Sequence, residues 1–117
     1  MMTIHIKDLD SLDFSDVSSG GDLPPIHPGE ILREEYLIPL GISVNALAQA
    51  LRVPATRLHE IVKYRRAITP DTALRLSRYF GGDAQFWLNL QTFYDLRLAK
   101  KNSLASIERD VLPREAA

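Results

Sequence analysis

Four side chains in one short stretch, Ala55, Thr56, Arg57 and His59, have the types and spacing to meet the edges of base pairs. Arginine can donate two hydrogen bonds to a guanine, and threonine can bond a base edge or offer its methyl to thymine, whereas alanine can make only apolar contact. A basic run, Lys63, Arg65 and Arg66, follows at once, and Asn45 and Arg52 precede. These five are suited to phosphate oxygens, contacts that fix register without reading sequence. The base-reading set is thin, so direct readout by a single copy of the chain is limited.

Such side chains act together only if a rigid element presents them. The stretch from Ser43 to Arg66, SVNALAQALRVPATRLHEIVKYRR, supplies one. It reads as two short helices around a four-residue turn, joined by Leu47, Ala48, Leu51, Val53, Leu58 and Ile61 at helical spacing. Ser43 caps the first of them, Pro54 opens the second, and Ala48 is small where the two cross. This is the outline of a helix-turn-helix whose second helix enters the major groove. Taken singly, the features are those of any helical bundle with a solvated KYRR face. Their coincidence in one register favours DNA.

The flanks read as further helices. Pro28 with Glu30 behind it starts one, buried along Ile31, Leu32, Tyr36 and Leu37, and Pro39 with Gly41 should end it. Thr69-Pro70-Asp71 caps a fourth helix, which Gly81-Gly82 stop. Asp83 caps a fifth, expected from Ala84 to about Lys100. That helix is apolar over a wide arc, with Phe86, Trp87, Leu90, Phe93 and Tyr94 among its large residues, which suits two partners: its own core and a second subunit. A last short amphipathic fragment holds Leu104, Ile107 and Val111. The expected fold is all-α. It is a five-helix, phage-repressor-like helix-turn-helix domain over residues 27–102, with an N-terminal arm, 1–26, and a C-terminal helical extension, 103–117.

The arm is disordered or strand-forming in expectation. Thr3-Ile4-His5-Ile6-Lys7 alternates like a strand, which alone is unstable in water. Charge is unevenly spread along the chain. Residues 1–27 carry one Lys against five Asp, a net −4, whereas residues 28–102 carry eleven Lys or Arg against seven Asp or Glu, a net +4. A basic body suits a polyanion. An acidic arm suits a basic protein partner, with Ile4, Ile6, Leu9, Leu12 and Phe14 as anchors.

Other function classes have little support. The chain has no cysteine, so thiolate metal sites, disulfides and cysteine nucleophiles are excluded. His5, His27 and His59 are scattered, without metal-ligand spacing, and there is no glycine-rich phosphate loop. Neither a cofactor nor an enzymatic activity is expected. No apolar run approaches the roughly 20 residues of a membrane span, and the start lacks a signal-peptide pattern, so a cytoplasmic protein is expected.

Three segments carry a family resemblance: HPGEILREEYLIPLGIS at 27–43, LRVPATRLHEIVKYRRAITPDTALRLSRYFG at 51–81 and FWLNLQTFYDL at 86–96. Together they resemble the HigA-type antitoxins of bacterial toxin–antitoxin modules, a branch of the XRE (Cro/C1-type) helix-turn-helix proteins. The resemblance implies a homodimer that binds a palindromic operator in its own promoter and represses it. It also implies neutralisation of a cognate HigB/RelE-like toxin that cleaves mRNA. Base contacts would fall on Ala55, Thr56, Arg57 and His59, and backbone contacts on Asn45, Lys63, Arg65 and Arg66. A stand-alone XRE-type repressor without a toxin is the alternative. One departure concerns the turn, where the general motif has glycine and this chain has Arg52. A left-handed arginine there costs about 1 kcal/mol, and its side chain could itself reach a phosphate.

Overall fold

The computed structural model describes residues 24–115, and these form five helices with no strand among them. Thr3–Lys7 and the anchors Ile4, Ile6, Leu9, Leu12 and Phe14 lie outside the described residues. Helix α1 spans residues 28–40 and is wound in three pieces. Pro28–Ile31 is α-helical, Leu32–Leu37 is a π-helical turn, and Ile38–Leu40 is α-helical again. The helix ends at Gly41, one of the two residues expected to end it, while Pro39 sits inside the last turn. The π turn, in which the Ile38 N–H bonds the Arg33 carbonyl, shifts the ladder just before a residue with no N–H to give. Gly41 takes the left-handed conformation at φ 66°.

Helices α2 (Val44–Leu51), α3 (Ala55–Val62) and α4 (Pro70–Phe80) follow. Their starts have the expected caps for α2 and α4. The Ser43 hydroxyl accepts from the Ala46 N–H at 3.0 Å and the Thr69 hydroxyl from the Thr72 N–H at 3.4 Å. Helix α5 runs without a break from Ala84 to Asp110. The expected stop near Lys100 and the separate last fragment are both corrected. No glycine or proline lies between Gly82 and Leu112, so nothing interrupts the ladder. From Ala99 to Asp110 every residue except Ser103 and Ser106 is exposed.

One core joins the five helices. Leu32, Leu47, Leu58, Ile61, Ala73, Leu76 and Trp87 are essentially without solvent contact. Helix α1 packs tightly on α3 at Gly29, where a Cβ would run into the Ile61 carbonyl group. Only glycine permits that approach. Buried Gln91 of α5 ties down the α3–α4 loop: its carbonyl oxygen accepts from the Ile68 N–H at 2.7 Å, and its amide donates to Asp95 at 2.9 Å.

Candidate nucleic-acid interface

Helix α3 lies between two matching turns. Leu51 is followed by Arg52 at φ 61°, and Lys63 by Tyr64 at φ 65°. In the first turn the Val53 N–H bonds the Ala48 carbonyl (3.0 Å) and the Arg52 N–H that of Gln49 (3.2 Å). In the second, Arg65 bonds Glu60 (2.8 Å) and Tyr64 bonds Ile61 (3.0 Å). Both are Schellman closures with a bulky residue where glycine is usual. Such strain persists only where surroundings impose it. At Tyr64 they do: Arg33 donates to its hydroxyl at 2.8 Å and lies over its ring at 5.4 Å, and His27 stacks on it at 5.3 Å. Arg33 also donates to the Val62 carbonyl at 3.0 Å, so a cation closes the C-terminus of α3. Arg75 does the same for α2, donating to the Leu51 carbonyl at 2.8 Å.

The outer face of α3 differs in part from the sequence expectation. Thr56 is exposed, and Ala55 is half-buried against the core. His59 is half-buried and its ring nitrogen lies 3.0 Å from the Asn45 side-chain oxygen of α2, which orients it outward across the motif. Arg57 points aside: it pairs with Asp71 in the first turn of α4 at 2.8 Å and reaches the Thr72 hydroxyl at 3.4 Å. Asp71 also holds Arg75 at 2.9 Å, and hydrogen bonds from Arg75 and then Arg57 keep its carboxyl below the usual carboxylate range.

Glu60 adds a residue that the sequence reading passed over. It lies one position beyond His59, half-buried, and binds Arg66 at 2.6 Å. A carboxylate there can accept from a cytosine amino group. Its only sequence signal was its place on the polar side of α3. Arg52, Lys63 and Arg65 are exposed, and among the described residues no carboxylate lies within ion-pair distance of them. The expected phosphate-holding cations thus stand at both ends of α3, with Arg66 turned onto Glu60.

Of the residues expected at a dimer contact, Trp87 is spent within the protomer. Trp87 is 1% exposed and packs against Tyr36 at 5.2 Å and Phe86 at 5.2 Å, so it has almost no surface to offer a second copy. Phe86 and Leu90 are half-buried against the same core. Phe93 and Tyr94 are also half-buried, Tyr94 meeting the His27 ring edge-on at 4.8 Å. The exposed apolar residues of α5 lie further along, at Leu96, Leu104 and Ile107.

An α2–turn–α3 unit packed into a helical core defines a helix-turn-helix protein. The helix-turn-helix family model matches residues 32–87. Virulence-associated protein I of Dichelobacter nodosus is 64% identical over 69% of this chain and 75% of its own length. An addiction module antidote protein of the HigA family from Coxiella burnetii is 48% identical, with a TM-score of 0.74, over 79% of this chain and 100% of that one. The antitoxin HigA of Pseudomonas aeruginosa, solved with the higBA promoter, is 48% identical at a TM-score of 0.75 over 78% of this chain and 99% of that one. The chain belongs to the HigA-type antitoxin family. No helix among the described residues is long and apolar enough to cross a membrane.

Proposed function

We propose that this protein is a DNA-binding antitoxin that represses its own operon as a homodimer and neutralises a HigB/RelE-like mRNA-cleaving toxin. The observation that carries the DNA half is the outer face of α3. Thr56, His59 and Glu60 form a polar edge there, between cations at Arg52 on one end and Lys63 and Arg65 on the other. Thr56, His59 and Glu60 meet base edges, and Arg57 joins them once it leaves Asp71. Asn45 orients His59. Arg52, Lys63, Arg65 and Arg66 hold phosphates. The relationship to the P. aeruginosa HigA, solved with its promoter, supports this assignment.

A palindromic operator needs two copies with their α3 helices about one DNA turn apart, roughly 34 Å. Leu96, Leu104 and Ile107 supply apolar surface on α5 for that pairing, and half-buried Phe93 and Tyr94 on the same helix add to it. Toxin capture falls to the arm, through Ile4, Ile6, Leu9, Leu12 and Phe14, by added strand and opposite charge. Co-expression with the product of the adjacent gene, followed by purification through a tag on this chain, tests the antitoxin half. A small basic protein that co-purifies, and whose RNA cleavage the chain suppresses, is expected. A chain that leaves such a toxin active is a repressor only.

A further inference from the structure

Where the acidic arm joins the body bears on what its carboxylates can reach. The arm enters at Pro24-Pro25-Ile26 and is fixed by His27, which is 4% exposed. The His27 Nδ1 accepts from the Gly29 N–H at 2.8 Å, and its ring stacks on Tyr64 at 5.3 Å. The root of the arm therefore sits against the Lys63–Arg66 loop, at the C-terminal end of α3.

The charges are opposite in sign and within reach of each other. The arm carries Asp8, Asp10, Asp13, Asp16 and Asp22 against one cation, Lys7. Exposed Arg52, Lys63 and Arg65 have no carboxylate partner among the described residues. Asp22 stands five residues before His27, so it can lie at most about 18 Å from that anchor. Asp8 can lie at most about 70 Å away, beyond the far end of α3. A tether of this length holds the carboxylates near the loop at an effective concentration on the order of millimolar.

We propose that residues 8–22 dock on the cationic face of α3 in the free protein and compete there with DNA. The face then has an intramolecular occupant as well as an external one. This rests on the DNA-binding assignment above only for its consequence. The docking itself is between two parts of one chain. Because both contacts are electrostatic, salt weakens the arm's hold along with that of DNA.

The test uses the full chain and a full-length variant with Asp8→Asn, Asp10→Asn, Asp13→Asn, Asp16→Asn and Asp22→Asn. A control carries Glu108→Gln, Asp110→Asn and Glu115→Gln, which lowers negative charge in the C-terminal segment. Fluorescence anisotropy with a 20-base-pair duplex should show the arm variant binding about tenfold tighter than wild type at low salt, with a steeper salt dependence and a gap that closes as salt rises. The control should change by less than about twofold. In the absence of DNA, the backbone amide signals of Arg52, Lys63, Tyr64 and Arg65 should differ between wild type and arm variant. Equal affinities for wild type and arm variant would overturn the competition. Amide differences that are absent, or confined to Lys100 and Lys101, would overturn the docking. If neither protein binds any duplex, the DNA-binding assignment fails, and the amide signals still decide whether the arm docks.

Discussion

Arg57 and Asp71, on successive helices, are joined at 2.8 Å, and that contact turns the one arginine of α3 away from its outer face. Reading guanine requires the guanidinium to let go of Asp71. The two side chains are 28% and 56% exposed, so solvent screens the pair and release is easy. Asp71→Asn should tighten binding to specific DNA by about twofold, because it weakens the hold on Arg57. Arg57→Ala should weaken specific binding by about 1–3 kcal/mol and relax one base position. Titrations of both variants against operator and random duplexes check this. Equal losses on the two duplexes for Arg57→Ala would make Arg57 a phosphate contact.

Gly29 sets the distance between α1 and α3. A Cβ there meets the Ile61 carbonyl, which belongs to backbone and cannot swing aside. Gly29→Ala should lower stability by about 1–3 kcal/mol, seen as a lower urea midpoint at unchanged m-value. The variant should also bind DNA more weakly, since α3 has to move. A midpoint equal to wild type would show that the two helices separate without strain.

Arg52 holds φ 61° and ψ 46° at the end of α2. Arg52→Gly relieves a left-handed side chain but loosens the unfolded chain, leaving a gain of about 0.5–1 kcal/mol in stability. The same variant loses a cation from the face of α3, so its salt dependence of DNA binding should fall by about one phosphate contact. Thermal melts and a salt series together separate the two effects. A variant that is less stable than wild type would mean that the arginine side chain stabilises the turn.

His27 makes stability depend on pH. Burial lowers its pKa below 6.5, against smaller upward pushes from Asp95 and a backbone hydrogen bond with Arg66. Its Nδ1 lone pair accepts from Gly29, a bond that protonation at this nitrogen would break. The unfolded chain therefore takes up the proton first. The contribution is complete above about pH 6.5 and is lost as pH falls through the folded value. Melting temperature should drop between pH 7.5 and 5.5 in wild type and drop less in His27→Asn, whose side-chain oxygen can keep the Gly29 bond. Parallel curves would assign the acid sensitivity elsewhere.

Much of the fold was legible because its signals are local. Ser43, Thr69-Pro70, Asp83 and Gly41 act within a few residues of themselves, and helix ends followed them. Leu47, Leu58 and Ile61 have a spacing that leaves one face to bury. Where reading failed, the deciding partner was distant or the cue was overruled. The partner of Arg57 lies on another helix, and composition does not reveal it. Of the two stop signals Pro39 and Gly41, the second ends the helix, and the π turn accommodates the first. The break placed near Lys100 had no residue to cause it. Trp87 was assigned to a subunit contact because α5 is apolar over a wide arc, yet Tyr36 and Phe86 already enclose it. Tyr64 showed no sign of its left-handed turn, which Arg33 and His27 impose from elsewhere in the chain.

The central claim is that α3 reads a particular DNA sequence. Its most direct test is the affinity of the full chain for the duplex upstream of its own gene, against a scrambled duplex of equal length, at physiological salt. The account predicts a preference of at least about a thousandfold, with binding that weakens steeply as salt rises. Equal affinity for the two duplexes, or no binding to either, would contradict it.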